Sequence, residues 1–277
     1  MSYMRFAKMH GAGNDFIVID QTSSTRKFTP ERVRLLCDRR KGIGADGIIL
    51  LSRGGMPSEE NLVRMDFYNC DGSRASLCGN GLRCAAAFAF KRDLSNGPDV
   101  NFLTGSGVLR TRVLSPERVR IELPAEPAGF DTARSAAGYS VYAGQVGVPH
   151  GVVFVEDPDT LDVEAEGRRI RFDEAFSPEG VNVDFLPLTC DLTKPIKIRT
   201  YERGVEAETL ACGTGAGAAA LVLRLKHPEM KKVLLHSRSG DDLEVEFPEE
   251  WNILNKMYLT GPAQESFHGA TDAFDLE

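Results

Sequence analysis

No apolar run among the 277 residues approaches the roughly 18 that a membrane span requires, so no membrane partner is expected. Arg5 and Lys8 fall where a secretory leader carries its apolar stretch, which points to a cytoplasmic protein. There is no Cys-x-x-Cys pair, and the steps from Cys70 to Cys78 and from Cys78 to Cys84 do not fit a structural zinc site, so no metal is expected. Cysteine is sparse: Cys37, Cys70, Cys78, Cys84, Cys190 and Cys212 are the full set. A chain of this length builds a core without disulfide staples, which leaves thiol chemistry or simple burial as the reason for each. Clustered positive charge is lacking too. The net charge is −7, and the densest basic run, Arg39-Arg40-Lys41 behind Arg32 and Arg34, reads as the solvated face and last turn of a helix. No nucleic-acid partner is expected.

What is present is the composition of an ordinary globular protein, 42% hydrophobic and 26% charged, long enough for two domains. Strand patterns dominate. Val63, Met65 and Phe67 alternate with Arg64 and Asp66, and Val119, Ile121 and Leu123 alternate with Arg118, Arg120 and Glu122. Leu243, Val245 and Phe247 repeat the pattern around Glu244 and Glu246. Alternation of period two puts one strand face on a core and the other in solvent. Ser115-Pro116-Glu117 supplies the turn that pairs 107–114 with 118–123. Helices are fewer. Thr29 caps one with Pro30 at its first position, and Val33, Leu36 and Cys37 share a face until Gly42 ends it. Two more run from Gly79 to Phe90 and from Gly213 to Lys226. Cys37 therefore reads as core, and Tyr142 and Trp251 as packing residues. Segment 124–140, rich in Pro, Gly and Ala, has neither period and is the expected crossing between domains.

A weak internal repeat carries the chemistry. Cys78-Gly-Asn-Gly-Leu-Arg-Cys-Ala-Ala86 aligns with Cys212-Gly-Thr-Gly-Ala-Gly-Ala-Ala-Ala220, about half a chain length later. Strand patterns at 63–68 and 196–201 precede the two copies, so two similar lobes would each offer one cysteine at a helix start, with a cleft between them. Free N–H groups and the positive end of the helix dipole stabilise a thiolate there. The glycines let a substrate carboxylate approach the same amides. Two facing starts would set a thiolate and a thiol on opposite sides of an amino-acid Cα, one removing the proton and the other returning it. Because a Cα–H is a very weak acid, the amides must also stabilise the developing negative charge. A single Cys-Gly-x-Gly is equally compatible with a small core residue.

The neighbouring motifs decide between these. Lys8-Met-His-Gly-Ala-Gly-Asn-Asp-Phe16, Gly42-Ile-Gly-Ala-Asp-Gly47, Asn69-Cys-Asp-Gly-Ser73, Cys78-Gly-Asn-Gly81, Pro149-His150, Val181-Asn182, Tyr201-Glu-Arg-Gly204 and Ala211-Cys-Gly-Thr-Gly215 follow one another in this order. Together they resemble the diaminopimelate epimerase family over nearly the whole chain. The resemblance implies a pyridoxal-independent isomerase of LL- and meso-diaminopimelate, on the route to lysine and peptidoglycan, with a small amino acid as substrate and no cofactor. It also implies an α/β (α+β) fold of two similar lobes, each a mainly antiparallel sheet wrapped around a central helix, with the active site in the cleft. The expected lobes are 1–124 with 263–277, carrying Cys78, and 125–262, carrying Cys212. By the same resemblance Cys78 and Cys212 are the catalytic thiols, and Gly79-Asn80 and Gly213-Thr214 supply amides to the carboxylate at the reacting centre. Asn14, Asn69, Asn182, Glu202 and Arg203 match substrate-binding positions, His150 and Glu202 match positions that tune the thiols, and Phe267 lies near an aromatic that contributes to a homodimer.

The residues themselves leave alternatives open. Asn14 and Asn69 stand in turn-forming contexts, Arg203 fits a strand-end charge as well as a carboxylate fork, Glu202 fits a partner for Arg203, and Phe267 fits a core. Two departures bear on the substrate's distal end. Val148 stands where the family usually has Asn before Pro-His, and Gly47 closes a loop that in other members carries glutamine. Losing one neutral hydrogen bond costs on the order of 0.5–1.5 kcal/mol, enough to weaken binding and not to abolish it. A racemase of the same fold acting on another amino acid is the close rival. A thiol-redox protein or a binding module is the rival of a different class.

Overall fold

The computed structural model of the chain describes residues 3–24, 26–54, 61–75 and 78–272. It is a mixed α+β structure that divides into two compact units, Met1–Ile121 with Pro262–Glu277, and Glu122–Gly261.

The first unit contains β1 (Met4–Gly11), β2 (Asn14–Asp20), α1 (Pro30–Cys37), β3 (Gly47–Arg53), β4 (Leu62–Asn69), β5 (Arg74–Ala75), α2 (Gly79–Lys91), β6 (Asp99–Thr104), β7 (Gly107–Ser115) and the start of β8 (Arg118–Pro124). Their sheet runs β8-β7-β6-β4-β3-β2-β1, with β5 on β4. It is antiparallel except for β2 with β3 and β4 with β6. The second unit contains β9 (Arg134–Ala136), β10 (Tyr139–Val146), β11 (Val148–Val155), α3 (Val163–Arg171), β12 (Asn182–Pro187), β13 (Ile196–Lys197), β14 (Arg199–Glu202), β15 (Ala207–Thr209), α4 (Gly213–Lys226), β16 (Lys232–His236), β17 (Asp242–Glu246), α5 (Trp251–Leu254) and most of β18 (Lys256–Pro262). One sheet runs β15-β14-β12-β11-β10-β9, and β13-β16-β17 continue to β18 in the other. Strand β19 (Gln264–Thr271) returns to the first unit and pairs antiparallel with β1, forming the edge of that sheet.

Each unit is organised around one helix. Asn80 to Ala89 of α2 are buried without a gap, as are Gly215 to Leu223 of α4. A helix apolar on all sides has no solvated face and must be enclosed. The sheet strands do this: α2 lies against β1, β2, β3, β6 and β7, and α4 against β10, β11, β12, β16 and β17. Runs of Ala and Gly keep both helices thin enough for strands to approach from several directions. Bulkier members such as Leu221 and Leu223 each contribute about 1.5–3 kcal/mol through burial. The opposite sheet face carries a second helix. Val33, Leu36 and Cys37 of α1 pack on Ile17, Ile48 and Leu50, and Val163 and Ile170 of α3 pack on Val153, Val183, Phe185 and Tyr201.

Three local expectations change. Helix α1 stops at Cys37 because Asp38 turns extended and its carboxylate accepts the Arg40 and Lys41 amides at 2.7 and 2.8 Å. This local alternative to helix leaves Arg39-Arg40-Lys41 in a turn rather than in the last helical turn. The chain passes between units within β8, so segment 124–140 lies in the second unit. Residues 196–201 are two strands, β13 pairing with β16 and β14 with β12. Helix α3 was not expected at all. Its buried stripe is only Val163, Gly167 and Ile170, and Asp162 caps it by accepting the Ala165 amide at 3.0 Å.

Gly167 permits that helix to touch the sheet, since a Cβ there would lie 2.4 Å from Tyr201 Cβ. Gly167→Ala gains helix propensity of about 1 kcal/mol, but the overlap outweighs it. The expected net result is a loss of about 1–3 kcal/mol, read as a lower urea midpoint; a raised midpoint would contradict the close packing.

Candidate active site

The first unit's thiol stands at the N-cap of α2, with Cys78 in extended conformation before Gly79. Its Sγ lies 3.5 Å from Asn14 Oδ1, which also accepts from Asn80 Nδ2 at 3.4 Å. Asn14 is oriented from behind: its Nδ2 donates to Asp46 Oδ2 at 2.7 Å, so its carbonyl oxygen is the atom left to face the sulfur. Parallel pairing of β2 with β3 brings Asp46 beside Asn14 and Asp15. Arg39 bridges Asp15 and Asp46 at 2.7 and 2.8 Å, and Lys8 pairs with Asp15 at 2.8 Å. Burial works against ionisation of Asp15, but the hydrogen bonds from Arg39 and Lys8 outweigh it and hold its carboxyl well below the usual range. On the other side Asn80 Oδ1 accepts from the fully buried Arg83 at 2.8 Å, and Arg83 Nε donates to the Pro262 carbonyl at 3.1 Å.

The second unit's thiol is the N-cap of α4. Cys212 is buried, its Sγ accepts the Gly215 amide at 3.4 Å, and Thr214 Oγ1 lies 3.3 Å away. Strand alternation supplies the rest. Val183 and Tyr201 face α3, so their neighbours Asn182, Asp184, Thr200 and Glu202 take the opposite face, where α4 packs. His150 is the parallel partner of Asn182. Its Nδ1 lies 2.8 Å from Asp184 Oδ2, and its Nε2 lies 3.0 Å from Thr214 Oγ1 and 3.3 Å from Asn182 Nδ2. Asn182 Oδ1 accepts the Arg203 amide at 2.7 Å, and Arg203 reaches the Glu179 carbonyl at 3.4 Å through Nη1. Burial raises the Cys212 thiol well above its ordinary range, and the carboxylates of Glu202 and Asp184 add to this. The Gly215 amide acts in the opposite direction, as does the Thr214 hydroxyl whenever it donates to the sulfur. Glu202 itself is pushed up by burial.

The structure therefore gathers Asn14, Cys78, Gly79 and Asn80 in one cluster, and His150, Asn182, Glu202, Cys212, Gly213 and Thr214 in another, with Arg203 joined through its backbone. Asn69 takes a different part: at the end of β4, its Nδ2 donates to Ser73 Oγ at 3.0 Å in the tight turn that follows. Phe267 lies on β19, half exposed, edge-to-face with Phe6 at 6.1 Å. Sequence reasoning missed Asp46, Arg83, Asp184 and Thr200. Asp46 stood inside a recognised motif, and Asp184 follows Asn182 by two residues, the same-face spacing of a strand.

The two-unit fold is shared with solved structures of low sequence identity. It matches the Bacillus anthracis phenazine biosynthesis protein of the PhzF family, with a TM-score of 0.70 and 14% identity over 98% of this chain and 99% of that one. It also matches a hydroxyproline epimerase from Agrobacterium vitis, with a TM-score of 0.69 and 15% identity over 100% and 94%. At these identities the likeness is one of fold. The diaminopimelate epimerase family model matches residues 6–123 and 142–265. The diaminopimelate epimerase of Aquifex aeolicus is 42% identical over 286 residues, covering 99% of this chain and 100% of that protein. The chain belongs to the diaminopimelate epimerase family.

Glu202 gives a prediction with a definite sign. Its folded-state proton affinity is raised, so the ionised form destabilises the folded state above the usual carboxylate range and costs nothing below about pH 4, where the group is protonated folded or unfolded. Glu202→Gln is expected to raise the urea midpoint near neutral pH, to leave it unchanged at the acid end, and to lower activity. Equal midpoints at neutral pH would show that the carboxylate carries no burial cost.

Proposed function

We propose that this chain inverts one stereocentre of LL-diaminopimelate to give the meso isomer, with Cys78 and Cys212 as the two acid–base groups and no pyridoxal cofactor. The reaction is the family's step in lysine biosynthesis, and the product also serves peptidoglycan synthesis. The observation that carries the reading is the repeat in three dimensions: each unit sets one thiol at the head of its enclosed helix, within its own hydrogen-bond cluster.

In this reading one thiolate removes the Cα proton while the other thiol delivers a proton to the opposite face. The amides of Gly79-Asn80 and Gly213-Thr214 receive the substrate carboxylate and the charge that develops beside it. Asn14, Asn69, Asn182 and Glu202 bind polar groups of the substrate, and the guanidinium of Arg203 takes the distal carboxylate in a two-pronged contact. His150 and Glu202 tune the thiols. Val148, where the family usually has Asn, begins β11 beside Gly147, whose Cβ position lies 3.7 Å from Thr214 Cγ2. In this reading the departure bears on recognition of the substrate's distal end and not on the reaction type. No helix among the described residues is long and apolar enough to cross a membrane. A cytoplasmic site of action fits this reading.

The test is to incubate the reduced protein with LL-diaminopimelate in deuterated water and follow deuterium entry at Cα. Exchange is expected, with Cys78→Ala and Cys212→Ala each lowering epimerisation by roughly 10²–10⁴-fold. Exchange with a monocarboxylic amino acid but not with LL-diaminopimelate would replace the substrate assignment. Full activity in either variant would remove the two-thiol mechanism.

A homodimer completes the proposal. Strand β19 is the sheet edge and carries Phe267 at 50% exposure, an apolar ring on a strand whose outer side has no partner strand among the described residues and that a second copy would cover. Phe267→Asp is expected to give a monomer in sedimentation velocity with the wild-type circular dichroism spectrum. A wild-type protein that sediments as a monomer would exclude the dimer.

A further inference from the structure

Asp184 belongs to none of the motifs that mark the family's active site, yet it is fully buried and faces the cluster around Cys212. One oxygen lies 2.8 Å from His150 Nδ1, and the other accepts from Thr200 Oγ1 at 2.8 Å. A Cβ on Gly215 would come within 2.2 Å of Oδ1, so the first turn of α4 presses directly on the carboxylate and holds it in place.

Donor and acceptor rules then fix the direction of every contact. A carboxylate oxygen accepts, so His150 Nδ1 carries the hydrogen. The opposite nitrogen is fixed independently. Because Asn182 Oδ1 accepts the Arg203 amide at 2.7 Å, its Nδ2 is the atom turned to His150, and an amide nitrogen only donates. Nε2 must therefore be bare. The Thr214 hydroxyl, 3.0 Å away, gives its hydrogen to that nitrogen. What remains on Thr214 toward Cys212 Sγ, at 3.3 Å, is a lone pair, and the thiol is the donor.

We propose that Asp184 is a positioning residue: it locks His150 in the Nδ1–H tautomer, which turns the Thr214 hydroxyl so that it accepts from Cys212 and holds that sulfur as the protonated acid of the resting enzyme. Its catalytic meaning rests on Cys212 being one of the two acid–base thiols, whereas the tautomer itself does not. Within the second unit the order of hydrogen-bond donation is Cys212 S–H to Thr214 Oγ1, Thr214 O–H to His150 Nε2, and His150 Nδ1–H to Asp184.

The experiment is nitrogen-15 NMR of histidine-labelled protein, which separates protonated from bare ring nitrogens, combined with steady-state kinetics on LL-diaminopimelate. The wild type is expected to show His150 with hydrogen on Nδ1 alone, and Asp184→Asn to show both tautomers, since an amide offers the ring a donor as readily as an acceptor. Thr214→Val, equal in shape but without the hydroxyl, is expected to lower kcat by about tenfold with KM within about twofold, and Thr214→Ser to recover most of the loss. A merely steric role would rank valine above serine. Hydrogen on Nε2 in the wild type, an unchanged tautomer in Asp184→Asn, or serine as impaired as valine would each overturn the proposal. Failure of the wild type to exchange deuterium into LL-diaminopimelate, with the tautomer as expected, would count against the functional reading alone.

Discussion

A sulfur atom at the head of a helix that is buried on every face is the constraint on which the rest of each unit depends. The sulfur needs the helix start for its amides and dipole. The helix, once enclosed, needs Ala and Gly where an ordinary helix carries a polar face, and strands on several sides to close around it. Those strands alternate, so their inward positions beside the helix start become a second requirement. Whatever polar group stands there meets protein and must find its partner within it. His150, Asp184, Asn182 and Thr200 satisfy one another in this way, as do Asn14, Asp46, Asn80 and Arg83 in the other unit.

The two clusters share a backbone plan and differ in charge. Around Cys78 the hydrogen-bond chains lead to Lys8, Arg39 and Arg83, set against Asp15 and Asp46. Around Cys212 the chain leads to Asp184; burial raises the thiol, and the Glu202 and Asp184 carboxylates add to it. Two titratable groups that serve as acid and base in one reaction are separated by just such unequal surroundings. In the proposed mechanism the repeat supplies the geometry, and the departures from the repeat would supply the division of labour.

Much of this was legible in the sequence. Two Cys-Gly-x-Gly turns opening small-residue helices, alternating strands, and a Thr-Pro helix start are local signals, and α2, α4 and the β7–β8 hairpin stand where those signals put them. Helix α3 was hidden because Gly167, a poor helix former, is present for the sake of Tyr201, a contact made across the fold. The passage between units, expected at 124/125, falls three residues earlier because it happens within β8, while composition directs attention to the Pro- and Gly-rich segment after it. Asp184 read as one polar residue among many until strand register placed it opposite Thr200 and beside His150. Asn69, a site residue by motif, also donates through its amide to Ser73 in the turn that follows β4.

Strand β19 lies against β1, so the sheet of the first unit is finished by the last strand among the described residues. In order of synthesis, the first unit is therefore completed only after all of Glu122–Gly261 has emerged. Until then β1 presents an open edge, with Phe6 uncovered and Lys8 without the Phe267 ring beside it. A nascent or truncated chain of this kind is a ready template for pairing with another strand. The closing strand is thus a safeguard against misassembly as well as a part of the fold, and its late arrival gives the second unit time to form alone.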